Sequence, residues 1–246
     1  MTAEKKRSRL SRSRSRSAEV TETETETDAD TKKAKVTRGD TRQKLIDAAL
    51  QRIDSERHGM VGLSLREVTK LAGVSPTAFY RHFTDLEELG LAVLEESSDG
   101  LRRLLRDVRK NGKSPEMISK STALFVNNVL ENRASWLLLA RERVGGSARI
   151  RAAIRNQTSY FVTELASDLR LMNALPHMTQ SDLQRVASIV ISLAINLVPD
   201  ILDLPTNKPR EITDIVAEMN SQLAILILGA INWDDAAANP DTKPDK

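Results

Sequence analysis

A group of hydrogen-bond donors lies between two phenylalanines in the segment Phe79-Tyr80-Arg81-His82-Phe83. Phe79 and Phe83 are four residues apart, so in a helix they share one face, which we expect to be buried. The three residues between them point elsewhere and carry a phenol, a guanidinium and an imidazole. Such donors bind phosphate oxygens and base edges. The segment therefore predicts a surface that binds DNA.

Two short helices must position these donors. Ser64 followed by Glu67 has the spacing of a capping box, which predicts that a helix starts directly after Ser64. Gly73 ends that helix, and Ser75 with Pro76 supplies an N-cap and a first-turn proline for a second one. Two helices joined by a short turn that contains glycine form a helix-turn-helix.

The second helix is predicted to lie in the major groove with its N-terminal residues on base edges. Ser75, Thr77 and Ala78 are then the base-facing candidates, since the Ala78 methyl suits a thymine methyl. Tyr80 and His82 become phosphate contacts. The alternative, a half-buried tyrosine and a surface histidine, is weaker because several positions of one segment agree. The predicted DNA-binding residues are Ser64, Arg66, Ser75, Pro76, Thr77, Ala78, Tyr80, Arg81 and His82.

The segment resembles the DNA-binding domain of TetR-family regulators, whose helix-turn-helix typically ends in an aromatic residue, Tyr, any residue, His and Phe. Gly73-Val74-Ser75 and the Phe79 to Phe83 segment match that pattern. The family usually has a lysine three residues after the last Phe, where this chain has Leu86. One expected phosphate contact is therefore missing.

Further motifs are similar to one branch of the family, the FabR and DesT type of fatty-acid biosynthesis repressors. They include Ser64-Leu65-Arg66-Glu67-Val68, Glu88-Leu89-Gly90-Leu91, the stretch from Leu137 to Arg143, and Arg151-Ala152-Ala153-Ile154. The resemblance implies a repressor that binds a palindromic operator, regulates genes of (unsaturated) fatty-acid synthesis, and responds to long-chain acyl-CoA or acyl-carrier-protein thioesters. The runner-up is an efflux regulator that responds to a lipophilic drug.

Composition favours a cytoplasmic protein. The chain has 246 residues, no cysteine, and 40% hydrophobic but only 3% aromatic residues, so we expect an aliphatic core and a reducing compartment. The longest apolar run, 223–228, is far shorter than the ~20 residues that span a bilayer, so no membrane partner is predicted. Residues 1–83 carry 18 Lys and Arg against 12 Asp and Glu, a balance of +6, which is typical of a DNA-binding end.

Four regions follow from these patterns. Residues 1–38, with SRSRSRS and TETETET repeats, are predicted to be disordered; they are either a basic arm for DNA or a solvated tail, and a general nucleic-acid binder driven by this tail is a third interpretation. Residues 39–84 are the predicted DNA-binding domain, residues 85–234 a helical regulatory and dimerisation domain, and residues 235–246 a disordered tail. The predicted fold class is all-α, with a three-helix head.

Helical periodicity continues through the second domain, over about 115–131, 133–144, 147–171, 179–203 and 209–233, with Gly and Pro between the segments. The last two helices are apolar on more than one face, and a helix of that kind is buried all round. We therefore expect them to form a homodimer interface, although two central core helices would give the same pattern.

An apolar cavity between such helices is the expected effector site. The candidates are Phe125, Trp136, Leu137, Arg141, Arg143 and Tyr160, with the two arginines, followed by Arg149, Arg151 and Arg155, as a cationic mouth for phosphates. A solvated charged face is the alternative. No cofactor, metal site or enzyme activity is predicted, because the three histidines lie far apart and no nucleophile elbow, Gly-rich phosphate loop or His-Glu-x-x-His motif occurs.

Overall fold

The computed structural model describes residues 40–55, 59–111, 114–204 and 209–233. The predicted tails at 1–38 and 235–246 lie outside these residues, as does His58. Within the described ranges the chain is helical and contains no strand, which confirms the all-α prediction. The described helices are α1 (residues 40–55), a 3-10 helix Gly59–Gly62, α2 Leu65–Leu71, α3 Pro76–Tyr80, α4 Leu86–Asn111, α5 Ser114–Glu131, α6 Arg133–Glu142, α7 Ala148–Leu171, α8 Gln180–Asp203 and α9 Pro209–Ile231.

We call α1 to α3 with the 3-10 helix the head, and α5 to α9 the body; α4 belongs to both. The head core is built around Leu45, Ile53, Val68, Phe79 and Phe83. It continues along α4 and also takes in residues of α6 and α7, namely Leu89, Val93, Leu94, Leu138, Ile150 and Ile154. Head and body are therefore packed against each other, not merely joined by one helix.

The body has two further groups of buried residues. One joins α4, α5, α8 and α9 around Phe125, Val129, Val198 and Met219. The other joins α7, α8 and α9 around Ala166, Leu183 and Ala230. Both are almost wholly aliphatic, as the low aromatic content predicts.

Local signals fix several helix starts. Thr179 and Asp182 form a full capping box at α8, in which Asp182 N donates to Thr179 Oγ1 (3.2 Å) and Thr179 N donates to Asp182 Oδ2 (3.0 Å). Ser147 caps α7 by accepting a hydrogen bond from Ile150 N at 3.0 Å. Both arrangements satisfy amides that a helix N-terminus leaves unpaired.

Thr84 and Glu87 have the spacing of a capping box, but α4 does not start with one. Glu88 N donates to Asp85 Oδ1 at 2.7 Å, and Thr84 N donates to Glu88 Oε2 at 2.6 Å. The helix thus begins one residue later than that box requires. Glu87 is free to turn toward α7, where it accepts a hydrogen bond from Ser147 Oγ and lies 3.6 Å from Arg149 Nη1.

Helices α8 and α9 are both long and apolar enough to cross a membrane when judged by length and composition alone, with mean hydropathies of 1.8 and 1.4. A core helix of a soluble protein passes the same test. Here each helix contributes side chains to the body cores, yet each also leaves apolar residues at the surface, among them Ile189, Ile225 and Leu228.

Candidate functional site

The turn between α2 and α3 is fixed by Gly73. Its φ is +66°, in the left-handed region that glycine adopts without strain. Gly73 N donates to Lys70 O (3.2 Å) and Val74 N donates to Thr69 O (3.0 Å), which is the hydrogen-bond pair of a Schellman motif. Val74 also packs against the head core. The predicted helix end at Gly73 is confirmed.

Helix α3 starts as the sequence predicts. Ser75 is its N-cap, with Oγ accepting a hydrogen bond from Ala78 N at 3.1 Å, and Pro76 occupies the first turn. The Ser64 prediction is only half right. Helix α2 does begin at Leu65, but Ser64 makes no side-chain cap bond. Glu67 instead binds Arg52 of α1, with Oε2 3.1 Å from Nη2, so this ion pair replaces the expected capping box.

The two phenylalanines hold α3 in place. Phe79 is fully buried and Phe83 nearly so, and their ring centroids are 5.7 Å apart. The guanidinium of Arg42 lies 5.6 Å from the Phe83 ring centroid, a cation–π distance that ties α1 to the end of α3. Because the aromatic face is buried, the other face of α3 is directed outward.

The outward face carries the predicted DNA contacts. Ser75, Pro76, Thr77 and Arg81 are exposed, and Tyr80 is 60% exposed although its ring packs edge-on against Phe79. Ala78 and His82 are half-buried. On α2, Arg66 is exposed and Ser64 is half-buried. Helix α3 and its flanking residues Ser75 and Arg81 thus present hydroxyl and guanidinium donors at the surface, with geometry suited to phosphate and base-edge contacts.

Leu86 occupies the position at which a lysine was expected. This residue is partly buried and packs against the head core. A side chain committed to apolar packing contributes no phosphate contact, so the predicted donors of α2 and α3 are left without a contribution from this position.

Glu142 lies at the junction between head and body, and its sequence context between two arginines did not single it out. Glu142, at the end of α6, is buried, and its Oε1 accepts a hydrogen bond from Met60 N at 2.9 Å. Gly59 has a φ of +64°, and a Cβ there would lie 2.9 Å from the same oxygen. A buried acidic residue at a helix end was the available signal, but its partner lies 82 residues away in the chain.

An apolar cavity of about 300 Å³, partly open to solvent, lies between α4 and the five body helices α5 to α9. Phe125 and Trp136 line it, with ring centroids 5.4 Å apart in an edge-to-face arrangement. Its lining residues in the described part of the chain are apolar or neutral polar, without any charged side chain. The cavity therefore suits an uncharged, largely apolar group.

The other predicted ligand residues do not line the cavity, and their positions explain why. Leu137 packs between the head core and a body core. Tyr160 is 60% exposed, under the Arg102 guanidinium. Arg141 is exposed beside Gly59, and Arg143 Nη1 donates to Asn196 Oδ1 at 3.2 Å. Arg141 and Arg143, expected as a cationic mouth, therefore form no part of the cavity wall.

Two other arginines adjoin the cavity wall, on α4. Arg102 and Arg106 both bind Glu164 of α7, at 2.7 Å and 2.9 Å from Oε1. They follow the lining residues Leu101 and Leu105 in the chain. The hydrogen bond from Arg102 holds the pKa of Glu164 below its usual range, and Glu164 in turn raises the pKa of Arg102. This charged clasp joins α4 to α7 outside the cavity.

The described residues contain no group of His, Cys, Asp and Glu side chains that could hold a metal ion. His177 lies at the end of the body, with Nε2 3.0 Å from Ala230 O, a contact that fits a structural role.

Two family models match the chain. Residues 45–93 match bacterial regulatory proteins of the tetR family, and residues 115–226 match the tetracyclin repressor-like C-terminal domain. The first match covers most of α1 together with α2, α3 and the start of α4, and the second covers the cavity helices α5 to α8 and most of α9.

Solved structures share the fold. A transcriptional regulator from Rhodococcus sp. Rha1 is 20% identical over 78% of this chain and 99% of its own, with a TM-score of 0.62. The fatty acid degradation regulator FadR from Bacillus halodurans is 16% identical over 79% of this chain and 97% of its own, TM-score 0.61. FadR from Bacillus subtilis, solved in complex with stearoyl-CoA, is 16% identical over 76% and 98%, TM-score 0.58. With both parts matched by models of one family, the chain belongs to the tetR family of bacterial transcriptional regulators.

Proposed function

We propose that this protein is a cytoplasmic, homodimeric repressor that binds a palindromic operator, controls fatty-acid synthesis genes and responds to long-chain acyl-CoA or acyl-carrier-protein thioesters. TetR-family regulators are generally non-enzymatic DNA-binding proteins that act as dimers. The observation that carries the finer proposal is the uncharged cavity of about 300 Å³, which is at the small end of the ~300–1,000 Å³ typical of ligand pockets.

Helix α4 supplies a route from this cavity to DNA. Its first half, with Leu89 and Val93, is part of the head core, and its second half, with Leu101 and Leu105, lines the cavity. Ile154 of α7 also belongs to both. A ligand that fits one tilt of α4 better than another would favour one spacing of the two heads, and only such differential binding shifts the equilibrium.

The acyl thioester is supported by the cavity and by a structural neighbour. FadR from Bacillus subtilis was solved with stearoyl-CoA. In this chain an acyl chain matches the apolar lining, whereas phosphates would remain outside, because burying unpaired charge is costly. The clasp arginines Arg102 and Arg106 are candidates for those phosphates, in place of Arg141 and Arg143. The sequence resemblance to the FabR and DesT type favours synthesis genes as the target.

The dimer interface is proposed on the outer faces of α8 and α9. Ala217, Ser221, Ala224 and Leu228 are all exposed and recur at the three- and four-residue spacing of a helix seam. Ile225 is 71% and Leu228 61% exposed in one chain. Apolar surface of this kind is normally covered, and two such helices from each copy would pair about a twofold axis.

Operator binding in the presence of acyl thioesters tests the proposed effector. Purified protein is titrated onto the DNA upstream of its own gene and of fatty-acid synthesis genes, with and without palmitoyl-CoA and an unsaturated acyl-CoA. We expect at least one thioester to change the dissociation constant at constant salt. Indifference to both, with a response to a neutral lipophilic drug, would favour the efflux regulator, which the uncharged cavity also suits.

The interface is tested with a matched pair of exposed serines. Ser221 Oγ donates to Ala217 O (2.9 Å) on α9, and Ser167 Oγ donates to Thr163 O (2.8 Å) on α7. Ser221→Arg should give a monomer in analytical ultracentrifugation and lose operator binding, whereas Ser167→Arg should stay dimeric. A dimeric Ser221→Arg protein would place the interface elsewhere.

A further inference from the structure

The polar side chains of the cavity wall differ in how their hydrogen bonds are satisfied. Ser98 Oγ donates to Gln157 Oε1 at 2.8 Å, and Thr158 Oγ1 donates to Ile154 O at 2.8 Å. Thr122, on α5, also lines the cavity and is only 2% exposed. Its Oγ1 has no hydrogen-bond partner among the described residues. Thr122 is therefore an unpaired buried hydroxyl in the wall of an apolar site.

The lack of a partner is unusual for a threonine in a helix of this protein. Thr69, Thr158 and Thr163 each donate to the carbonyl four residues earlier, at 2.8 to 2.9 Å. A buried hydroxyl without a hydrogen bond lowers the stability of the folded chain. A ligand in the cavity that accepts a hydrogen bond from Thr122 would remove this cost. Because threonine in a helix divides between two rotamers, one rotation about Cα–Cβ redirects the hydroxyl.

We propose that the Thr122 hydroxyl donates a hydrogen bond to the carbonyl oxygen of the acyl thioester held in the cavity. This inference rests on the proposed function and names the group that the cavity recognises. Ile118 and Phe125, one turn before and after Thr122 on α5, also line the cavity and are apolar. The acceptor would therefore sit within an apolar wall, with the alkyl chain packed beside it.

The ligand group must be neutral. The described lining contains neither Lys, Arg nor His, and a carboxylate buried without a cation pays a desolvation cost that one hydroxyl does not offset. A thioester carbonyl carries no charge, and its oxygen can accept a hydrogen bond from the Thr122 hydroxyl. The site consequently selects the thioester over the free fatty-acid anion.

The test compares palmitoyl-CoA with S-hexadecyl-CoA, a thioether in which a methylene replaces the carbonyl. A Trp233→Phe background leaves Trp136, which lines the cavity, as the sole tryptophan, so its emission reports occupancy. In this background palmitoyl-CoA should bind about five- to tenfold more tightly than the thioether, the effect of one hydrogen bond between neutral groups.

Thr122→Val should remove that preference by weakening palmitoyl-CoA alone, and it should raise the Tm of the ligand-free protein because an unpaired hydroxyl is lost. Thr122→Ser keeps the donor and should keep the preference. Thr163→Val is the control outside the cavity, since its hydroxyl already donates to Ser159 O at 2.9 Å, and should leave the preference unchanged.

The possible failures are distinguishable. If Thr122→Val weakens both ligands equally, or neither, the inference is overturned while the acyl thioester remains the effector. If palmitoyl-CoA leaves Trp136 emission unchanged at every concentration, the proposed effector and the inference fail together.

Discussion

The head and the body place their polar groups on opposite sides of their apolar cores. In the head, Phe79 and Phe83 are buried, and donors such as Thr77 and Tyr80 face outward. In the body, apolar side chains line a cavity between the helices, and the hydroxyl of Thr122 is buried in its wall. A binding residue in the head therefore has little effect on folding, whereas a substitution in the cavity wall changes both binding and stability.

The two regions also differ in how they are fixed. Helix α3 is held by local hydrogen bonds, such as Ala78 N to Ser75 Oγ, and by a compact aromatic core. The cavity is bounded by helices that are distant in sequence and are held by long-range contacts such as Arg102 with Glu164. The shape of the cavity thus depends on contacts between helices, whereas the shape of α3 depends on its own neighbouring residues.

The largest expected difference in stability is between substitutions of two adjacent residues of α3, Phe79 and Tyr80. Phe79→Ala should destabilise the protein by about 3–5 kcal/mol, because it empties a fully buried ring position. Tyr80→Ala, at a 60% exposed position, should change stability by less than about 1 kcal/mol and yet weaken operator binding. Urea denaturation and DNA titration separate the two. Similar losses of stability would mean that folding and binding are not separable in the head.

The junction between the regions gives the next largest effect. Gly59→Ala should cost about 1–3 kcal/mol, because alanine is strained at a positive φ and its Cβ would lie 2.9 Å from Glu142 Oε1. Displacing Glu142 also disturbs its bond to Met60 N, so the effect of an acyl thioester on DNA affinity should shrink. Gly100→Ala is the control, since no atom lies within 4 Å of the added Cβ; it should be neutral or slightly stabilising. Equal losses of stability for the two substitutions would show that the contact between Gly59 and Glu142 has no particular effect.

Within the head, base-facing and phosphate-facing residues should behave differently. Thr77→Val should alter base preference at one operator position by about 1–3 kcal/mol. Tyr80→Phe and His82→Ala should weaken binding by similar factors across operator sequences, because phosphates carry no sequence information. Binding to a library of single-base operator variants measures both. If the three substitutions act alike, the proposed orientation of α3 in the groove is wrong.

Much of the head was predictable from sequence because its signals are local. Gly73 and the Ser75-Pro76 pair fix a turn and a helix start within a few residues, and the structure has both. The body helices were also placed closely, for example 115–131 against Ser114–Glu131, since aliphatic periodicity and Gly or Pro breaks are local too.

Two predictions failed because the actual partner lies far away in the sequence. The Ser64–Glu67 box was replaced by the pair of Glu67 with Arg52, 15 residues away. The arginines near residue 141 were assigned to the cavity, but the clasp is formed by Arg102 with Glu164, 62 residues apart. Periodicity shows which face of a helix is buried; it does not show which helix covers that face.

The smallest predicted effect comes from the clasp of Arg102 and Arg106 with Glu164. It tests how much this ion pair stabilises the contact between α4 and α7. The lowered pKa of Glu164 means that its contribution to stability is present above the usual carboxyl value of about 4.3 and is lost as pH falls through the lowered pKa. Glu164→Gln should therefore be less stable than wild type at pH 7, by about 1 kcal/mol or less because the pair is partly exposed. The difference should vanish in acid, where the wild-type carboxyl is also neutral.

Thermal denaturation across this pH range measures the difference in stability, with Glu131→Gln, an exposed substitution on α5, as control. A difference that persists in acid would mean that Glu164 stabilises the α4–α7 contact by packing rather than by charge, and the cavity wall would then be more rigid than the comparison with the head implies.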